Sequence, residues 1–567
     1  MPVLTGIDVV GIQRFVFGSN RLRDVVGASW LIDWATNSKT GALVGLPCGD
    51  VLLAAGGNAI VRFDGADAEA DSRRFAAQLT RKFFDDAPGV EVVIAHRRYD
   101  NGDLAKALRA LQVDLAREKL ERRPDAPLLG LSVTASCANT GLPAVGFNPR
   151  DETAPLSRQA LKMGDREVRQ SAAKRWNEFI RADRTERDQF QFSEELNELG
   201  ASSGERSLLG VVHVDGNGIG GRIQKWLEQC IDDDAPDATV LSQYREWSSD
   251  LIKLGEDALR AVLERTFGAI AQRPEAGSEK IVQWVGSDSQ ARELAFRLAR
   301  KKPNKNERDD ADRLPWSLPI RPVLLGGDDM TFLCDGRIAL DLAVTALRAM
   351  EKRVAYLGNE PIRACAGVAI MPHHSPFVRA YDLAESLCQS AKRAARKLSE
   401  DKQQQASFID WHIGLPKPSQ SLAELREREY SALRPNEPKP LSLTCRPYRL
   451  GSGPADAGSW TWLVQALLDD PQFGLRGGQW RKHRNKVKAL REVLRDGPDA
   501  IKDSLKRWRV VTKELGLVAS VNDAGFKENG FFDLTRTPLL DALELLDLHL
   551  PLEAAAEQKT QTTEVPS

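Results

Sequence analysis

At 567 residues the chain is longer than one hydrophobic core holds, so several domains are expected. Its 79 basic and 80 acidic residues leave a net charge of -1, which gives no global electrostatic reason to bind nucleic acid. The 7 cysteines are scattered with no C-x-x-C pair, against a zinc ribbon or a disulfide framework, and the start lacks a signal peptide. No run approaches the ~18 apolar residues of a membrane span, so a cytoplasmic protein of mixed helices and strands, with no membrane partner, is expected.

In chain order the first unit reads strand, helix, hairpin, helix, strand, helix. Thr5 to Val10 is a strand, Phe15 to Ala35 mostly helical, and Val51 to Phe63 a hairpin around Gly56-Gly57. Ala68 to Asp85 is an amphipathic helix, Val90 to His96 a strand, and Asp103 to Arg122 a helix. That order predicts a ferredoxin-like sheet with helices on one face. Leu128 to Val145 reads as strands, and Ser157 to Leu199 as charged helix in a connector.

From Leu208 the order repeats. Val211 to Asp215 is a strand, Leu241 to Ala271 helical, Ile320 to Cys334 a hairpin, and Ile338 to Tyr356 a helix. Arg363 to Ile370 is a strand, Tyr381 to Lys397 a helix, and Ala406 to Trp411 a strand. The repeat shows in residues too. Ile7-Asp8-Val9-Val10-Gly11-Ile12 parallels Val214-Asp215-Gly216-Asn217-Gly218-Ile219, and Gly56-Gly57-Asn58-Ala59 parallels Gly326-Gly327-Asp328-Asp329. Asp215 lies much further from Gly326 than Asp8 from Gly56. An insertion at Ala276 to Pro315, with the basic stretch Arg297 to Lys302, is expected to be a mobile surface loop. A Pro-rich linker from Leu415 (Pro416, Pro418, Pro435, Pro438, Pro440) then leads to a small helical bundle over Ser459 to Leu468, Gly478 to Leu494, Ala500 to Leu515 and Leu539 to His549. The expected division is a first palm-like domain at 1–125, a connector at 126–205, a second palm-like domain at 206–414, a helical domain at 415–553 and a disordered tail at 554–567. The fold class is therefore α+β.

The chemistry concentrates in the second unit. Gly326-Gly327 between two apolar runs makes a tight hairpin, because glycine adopts positive φ without steric cost. Asp328 and Asp329 sit on its tip, and Asp215 ends the upstream strand. Such hard oxygen donors suit Mg2+ or Mn2+, which takes one or two carboxylates plus phosphate oxygens. Two ions held this way activate a ribose 3′-hydroxyl and stabilise leaving pyrophosphate. Gly216, Asn217, Gly218 and Ile219, with Gly326 and Gly327, let backbone N–H groups approach phosphate. Lys392 and Arg396 lie four apart on one helix face, where a cation would hold a triphosphate. In the first unit Asn58-Ala59 replaces the acid pair, so this half binds nucleotide without chemistry of its own. Ser29 and Asn58 are its candidate contacts, with Ser19 to Arg23 and Gly27-Ala28 nearby. His373-His374 reads as a loop pair, and no histidine precedes an aspartate, so a His-Asp nuclease has no support. Arg481 to Lys488 with Trp480 is a candidate nucleic-acid-facing patch.

The ordered set of Val214-Asp215-Gly216-Asn217-Gly218-Ile219, Gly326-Gly327-Asp328-Asp329, Ile12-Gln13-Arg14-Phe15, Leu22-Arg23, Gly27-Ala28-Ser29, Gly56-Gly57-Asn58 and Ala391-Lys392-Arg393 resembles the large polymerase-cyclase subunit of type III CRISPR effector complexes. The palm is also similar to that of diguanylate cyclases. The resemblance implies two palm domains and synthesis of cyclic oligoadenylates, second messengers of antiviral defence, from ATP. It implies Asp215, Asp328 and Asp329 as magnesium ligands, a donor ATP on the second palm and an acceptor ATP on the first. Guide RNA and backbone subunits would dock on the helical domain, and homo-oligomerisation stays open. The chain departs from the family in starting directly at the first palm, so no HD nuclease domain is expected, and in lacking the paired cysteines. The alternatives are an RNA-binding assembly subunit with little synthase activity, or a cyclase of another product such as a cyclic dinucleotide. A templated polymerase has less support, since no basic duplex channel shows around the palms.

Overall fold

The structure is a computed structural model. It describes residues 1–552 apart from 48, 123–132, 150–152, 182–184, 200–206, 273–279, 285–293, 300–313, 353–360, 403–404, 418, 434–439, 514, 518–525 and 527–528. The fold is α+β, with two ferredoxin-like antiparallel sheets and a helical C-terminal part. The tail at 554–567 lies outside the described residues.

The first sheet has four strands in the order Asp50–Ala55, Asn58–Phe63, Val3–Val10, Glu91–Arg98. Its central strand alternates two buried faces. Val3, Ile7 and Val9 point toward helices Leu22–Thr36 and Ala68–Asp86. In the second of these, Phe75, Leu79 and Phe83 recur every four residues and make its buried stripe. The expectation of helices on one face holds for these two. The helix Leu104–Glu121 lies on the opposite face, over Leu4 and Ile60. There a Cβ on Gly6 would sit 2.8 Å from Leu115 Cδ1, so a larger residue would push that leucine aside. The expected single helix from Phe15 to Ala35 is two, Ile12–Val16 and Leu22–Thr36.

The second sheet repeats the same order and extends it. Ile320–Leu325, Met330–Asp335, Leu208–Gly216 and Ala364–Pro372 stand where the four strands of the first sheet stand, and Phe408–Ile413 and Tyr448–Arg449 continue the edge. Helices Asp237–Gly268 and Ala339–Glu351 pack on one face, and Phe377–Lys402 crosses the other. The repeat thus extends to the fourth helix of each unit. Leu209 and Val211 of the central strand share a core with Phe17, Val25 and Leu31 of the first unit, so the two units are packed through apolar side chains.

Four expectations are corrected. The segment after Leu415 is not a plain linker: helix Leu422–Glu429 starts on a capping box formed by Ser421 and Glu424, and Tyr448–Arg449 joins the second sheet. The C-terminal helices share one core with that sheet, in which Trp411 and Tyr448 meet Trp460 and Leu545. They are an extension of its packing, because their apolar faces find the exposed side of the edge strands rather than each other alone. The described parts of the insertion are strands, not loop: Lys280–Trp284 pairs with Leu294–Arg297 and Ile270–Gln272. The remainder of the insertion is outside the described residues. The strands expected at Leu128 to Val145 reduce, among the described residues, to an isolated bridge between Ser136 and Pro143. No described helix is long and apolar enough to cross a membrane.

Candidate active site

Strand register sets the site. Met330 pairs with Val214, so the same register carried one step further puts Asp329 opposite Asp215. The Gly216 N–H donates to the Asp328 carbonyl (3.1 Å), and the Gly326 N–H to the Asp329 carbonyl (2.8 Å). Gly327 has φ of 86° and Gly326 has no positive φ, as in a hairpin turn with glycine at its first central position. A Cβ on Gly255, in the long helix, would sit 2.3 Å from the Gly327 carbonyl oxygen. Close approach of that helix therefore fixes the tip from outside.

The first unit shows the same frame with other side chains. Gly11 (φ 66°) and Gly218 (φ 71°) both precede their helices in left-handed conformation. Asp8 pairs with Asn58. Since Asp8 corresponds to Asp215, Asn58 corresponds to Asp329, and Gly57 to Asp328. The tetrapeptide comparison made from sequence is therefore shifted by one position. Its cause is turn type: Gly56 and Gly57 both have positive φ (60° and 83°), unlike the tip of the second hairpin. Each strand-end acid also has its own lysine from the fourth helix of its unit. Lys119 pairs with Asp8, and Lys392 Nζ lies 2.5 Å from Asp215 Oδ2 and 3.1 Å from the Gly216 carbonyl. Burial raises the Asp8 carboxyl, an effect that Lys119 opposes.

The three acids are close enough to perturb one another. Burial, then the charge of Asp215, raises the Asp328 carboxyl to about 6 and the Asp329 carboxyl to about 7. His213, buried beneath Asp329, has its pKa lowered by burial and so stays neutral. Its Nδ1 lies 3.0 Å from Thr331 Oγ1 and 3.5 Å from Asp329 Oδ1. That Asp329 oxygen is buried with no hydrogen-bond partner.

Whether these residues suit a divalent cation follows from the donors. They are hard oxygens, one of them is buried without a partner, and burial and the Asp215 charge raise the pKa of Asp328 and Asp329, which a cation would relieve. They are not closed on one point: Asp215 Oδ2 turns to Lys392, and among the described residues no group of three or more His, Cys, Asp or Glu side chains forms a cage for a metal. The donor set fits the ion, with the Lys392 ammonium as the positive charge beside Asp215.

A cavity of about 520 Å3 opens beside Lys392. Asn217 and Gly218 line it from the strand end, Arg222 and Lys225 from the helix Ile219–Asp232, and Arg363, Lys392 and Arg396 from the other wall. The lining carries five cationic side chains and no acid. Lys392 and Arg396 share this wall as their spacing requires, while Arg393 is exposed and outside the lining. Asn217 Oδ1 is buried with no hydrogen-bond partner, and its N–H donates to the Arg363 carbonyl (2.7 Å). Ile219 starts the helix and is largely buried.

The first-unit candidates fare differently. Asn58 is exposed, with its amide 3.5 Å from the Gly56 carbonyl. Ser29 is buried and its hydroxyl donates to the Val323 carbonyl of the second hairpin, so it joins the two units and is not open to a nucleotide. Gly27 does similar work: a Cβ there would lie 1.9 Å from the Met163 carbonyl oxygen. Asn20 Oδ1 accepts from the Phe377 N–H (3.2 Å) at the start of the helix that carries Lys392. The two hairpin tips touch, since a Cβ on Gly56 would be 3.1 Å from the Gly326 carbonyl oxygen. Trp480 is fully buried and its indole N–H donates to the Gly516 carbonyl (2.9 Å), so it offers no stacking surface; Lys482 and Lys488 are exposed. His373 and His374 stack edge to face in a loop. Sequence reading missed Lys119, His213, Gly255 and Tyr381. Of these only Lys119 left a trace, as the counterpart of Lys392 in the repeat.

Gly216 lies against the acid pair, since a Cβ there would be 2.8 Å from both Asp328 Cβ and Asp328 Oδ2. Gly216→Ala is expected to displace that carboxylate by a fraction of an ångström or more and to weaken Mn2+ binding about tenfold. The melting temperature should move little, and unchanged Mn2+ affinity would show that Asp328 is not needed where it stands.

No family model matches the chain, and no curated protein matches it. Among solved structures it is similar to a Csm1-Csm4 cassette in complex with AMPPNP, at 15% identity and a TM-score of 0.49, covering 96% of this chain and 69% of that one. It is similar to a Csm1-Csm4 cassette in complex with cA3, at 15% identity and a TM-score of 0.47, over 96% of this chain and 69% of that one. Csm1 of T. onnurineus is similar at 15% identity and a TM-score of 0.44, over 96% of this chain and 64% of that one.

Proposed function

We propose that the chain is a metal-dependent nucleotidyl cyclase that joins ATP into cyclic oligoadenylates in antiviral defence signalling. The observation that carries this reading is one strand-end acid and two hairpin-tip acids beside a cavity lined by five cations and no acid. The motif resemblance supplies the product class and adenine as the base.

In this reading Asp215, Asp328 and Asp329 hold Mg2+ or Mn2+. Held there, such ions would supply Lewis-acid chemistry, lowering the pKa of an attacking 3′-hydroxyl and offsetting charge on the α-phosphate and leaving pyrophosphate. Lys392, Arg396, Arg363, Arg222 and Lys225 balance the triphosphate charge in the cavity and orient it. Gly216, Asn217, Gly218, Gly326 and Gly327 keep the backbone close to the phosphates without side chains in the way. Asn58, on the first unit's edge of the two touching tips, faces the acceptor ATP. Guide RNA and backbone-type subunits are the proposed partners of the C-terminal helices, with Lys482 and Lys488 at their surface.

The test is to incubate the chain with each labelled nucleoside triphosphate and Mg2+, with and without RNA, and to identify products by mass. Cyclic adenylates from ATP are expected. No product under any condition would sink the enzyme reading, and equal product from an Asp328→Ala, Asp329→Ala variant would sink the site. Lys392→Met is expected to raise KM for ATP about 10- to 100-fold, the worth of a charge-assisted hydrogen bond. Steady-state rates against ATP concentration measure it, and an unchanged KM would remove Lys392 from the triphosphate site.

A further inference from the structure

Behind the acid pair the structure carries a buried chain of aromatic groups that the proposed reaction does not use. Phe17, in the loop between the first two helices, stacks on Tyr381 with ring centroids 3.9 Å apart and planes at 21°. Tyr381 meets His213 edge to face at 5.6 Å and 71°. His213 in turn has its Nδ1 at 3.0 Å from Thr331 Oγ1 and 3.5 Å from Asp329 Oδ1. Phe17 and Tyr381 are 2% and 1% exposed and His213 2%, so each ring is confined. The buried Asp329 oxygen has no hydrogen-bond partner, and the imidazole nitrogen stands 3.5 Å from it.

We infer that His213 is a positioning residue for Asp329: its Nδ1–H, 3.5 Å from the inner oxygen of that carboxylate, is the donor placed to hold it so that the outer oxygen faces the cation. This rests on the proposed metal site. A carboxylate ligand left to rotate about its Cβ–Cγ bond loses affinity, and ligands of metals are commonly held by such an outer hydrogen bond, worth about 10- to 100-fold in affinity. Thr331 Oγ1, 3.0 Å from the same nitrogen, accepts from the same N–H and steadies the ring. Tyr381 fixes the ring plane, and Phe17 fixes Tyr381. Because Phe17 belongs to the first unit, the packing of the two units bears on where the Asp329 carboxylate points. His213 and Asp329 are over a hundred positions apart, and although Asp329 belongs to the Gly-Gly-Asp-Asp turn, no motif marks His213.

Mn2+ binding to the full chain, followed by electron paramagnetic resonance, tests it without ATP. His213→Leu is expected to weaken Mn2+ about tenfold or more, while His213→Asn, whose amide nitrogen stands near the Nδ1 position, stays within about threefold of the wild-type chain. Mn2+ affinity unchanged in a folded His213→Leu chain, or lost equally in both variants, would overturn the inference. Asp329→Ala is the control: if it binds Mn2+ like the wild type, the metal site itself is misassigned and the failure belongs to the proposed function. Should His213→Leu not fold, nitrogen NMR of the wild-type chain labelled in histidine decides the matter. Mg2+ is expected to shift the His213 ring nitrogens, identified by their loss in His213→Asn. Mg2+ that binds without moving them would overturn the inference.

Discussion

Asp329→Asn is expected to lose at least about 100-fold in product formation and, without metal, to be more stable than the wild-type chain at pH 8. The loss follows from removing one charged ligand from the proposed cation site, since metal ions so held supply several kcal/mol to a transition state and each 1.4 kcal/mol is tenfold. The gain follows from proton linkage. The Asp329 carboxyl is raised to about 7 in the fold, while an unfolded aspartate titrates near 3.9. Below pH ~4 both forms are protonated and the carboxyl costs nothing. As pH rises toward 7 the folded chain holds a proton that the unfolded chain has released, so stability falls, and above 7 the whole cost is present. Asparagine never has that charge. The side chain keeps 38% exposure, so water screens part of the effect and about 1–2 kcal/mol is the expected size. Thermal melts with a chelator should therefore show a gain of a few degrees at pH 8 and none near pH 4. Added Mg2+ should stabilise the wild type and not the variant. A gain equal at both pH values would point to a cause other than ionisation, and undiminished product would remove Asp329 from the chemistry.

How much of this was readable in the sequence depends on the range of the interactions. Asp215, Asp328 and Asp329 were readable because acids at a strand end and on a Gly-Gly turn are local patterns. The duplicated order of elements was readable for the same reason, and the common strand order of the two sheets follows from it. The role of Lys392 was readable only as a helix face; its contact with Asp215 spans 177 positions. Contacts that cross between units left no local mark. Ser29 reads as a polar helix residue but serves as a donor to Val323, and Gly255 reads as a weak helix position but makes room for the hairpin tip. Trp480 reads as part of a basic surface because the pattern of charge does not say which way the ring points. The one-position offset between the two hairpins was hidden because two matching glycines invite alignment, while turn type is decided by φ and only shown by the register. The frame explains why one copy is proposed to act and the other to bind. Where Asp329 faces Asp215, Asn58 faces Asp8, and Gly57 stands where Asp328 stands. The first unit keeps the strand-end acid and its lysine, and lacks the two carboxylates that would complete a cation site.

Arg446→Met is expected to be the most destabilising single change outside the sheets' cores, by about 3–5 kcal/mol, since it leaves buried acids without a partner. Arg446 is fully buried, and so is Asp541, 3.0 Å from its Nε; Glu544 lies 3.3 Å from Nη1. The Nη1 group also donates to the Trp411 carbonyl (2.8 Å), and the guanidinium lies over the rings of Tyr430 and Trp411. Tyr448 and Tyr430 complete the network with hydrogen bonds of 2.7 Å each to Asp541 and Glu544. The neighbouring acids hold the guanidinium in its charged form against burial, and burial raises the Glu544 carboxyl. Trp411 belongs to the edge of the second sheet and Asp541 to the helix Leu539–Leu548, so this one cation joins the C-terminal helices to the palm. Paired charges in a dry interior gain little over apolar packing, but an unpaired one is costly. The triple variant Arg446→Met, Asp541→Leu, Glu544→Leu is therefore expected to regain most of the loss, with urea denaturation as the measure. The single variant should also free the C-terminal helices first, read as protease cleavage after Leu415 while the sheets stay protected. Equal loss in the single and triple variants would mean that shape, rather than charge, makes this joint. A single variant as stable as the wild type would mean that the C-terminal helices are held by their apolar core alone.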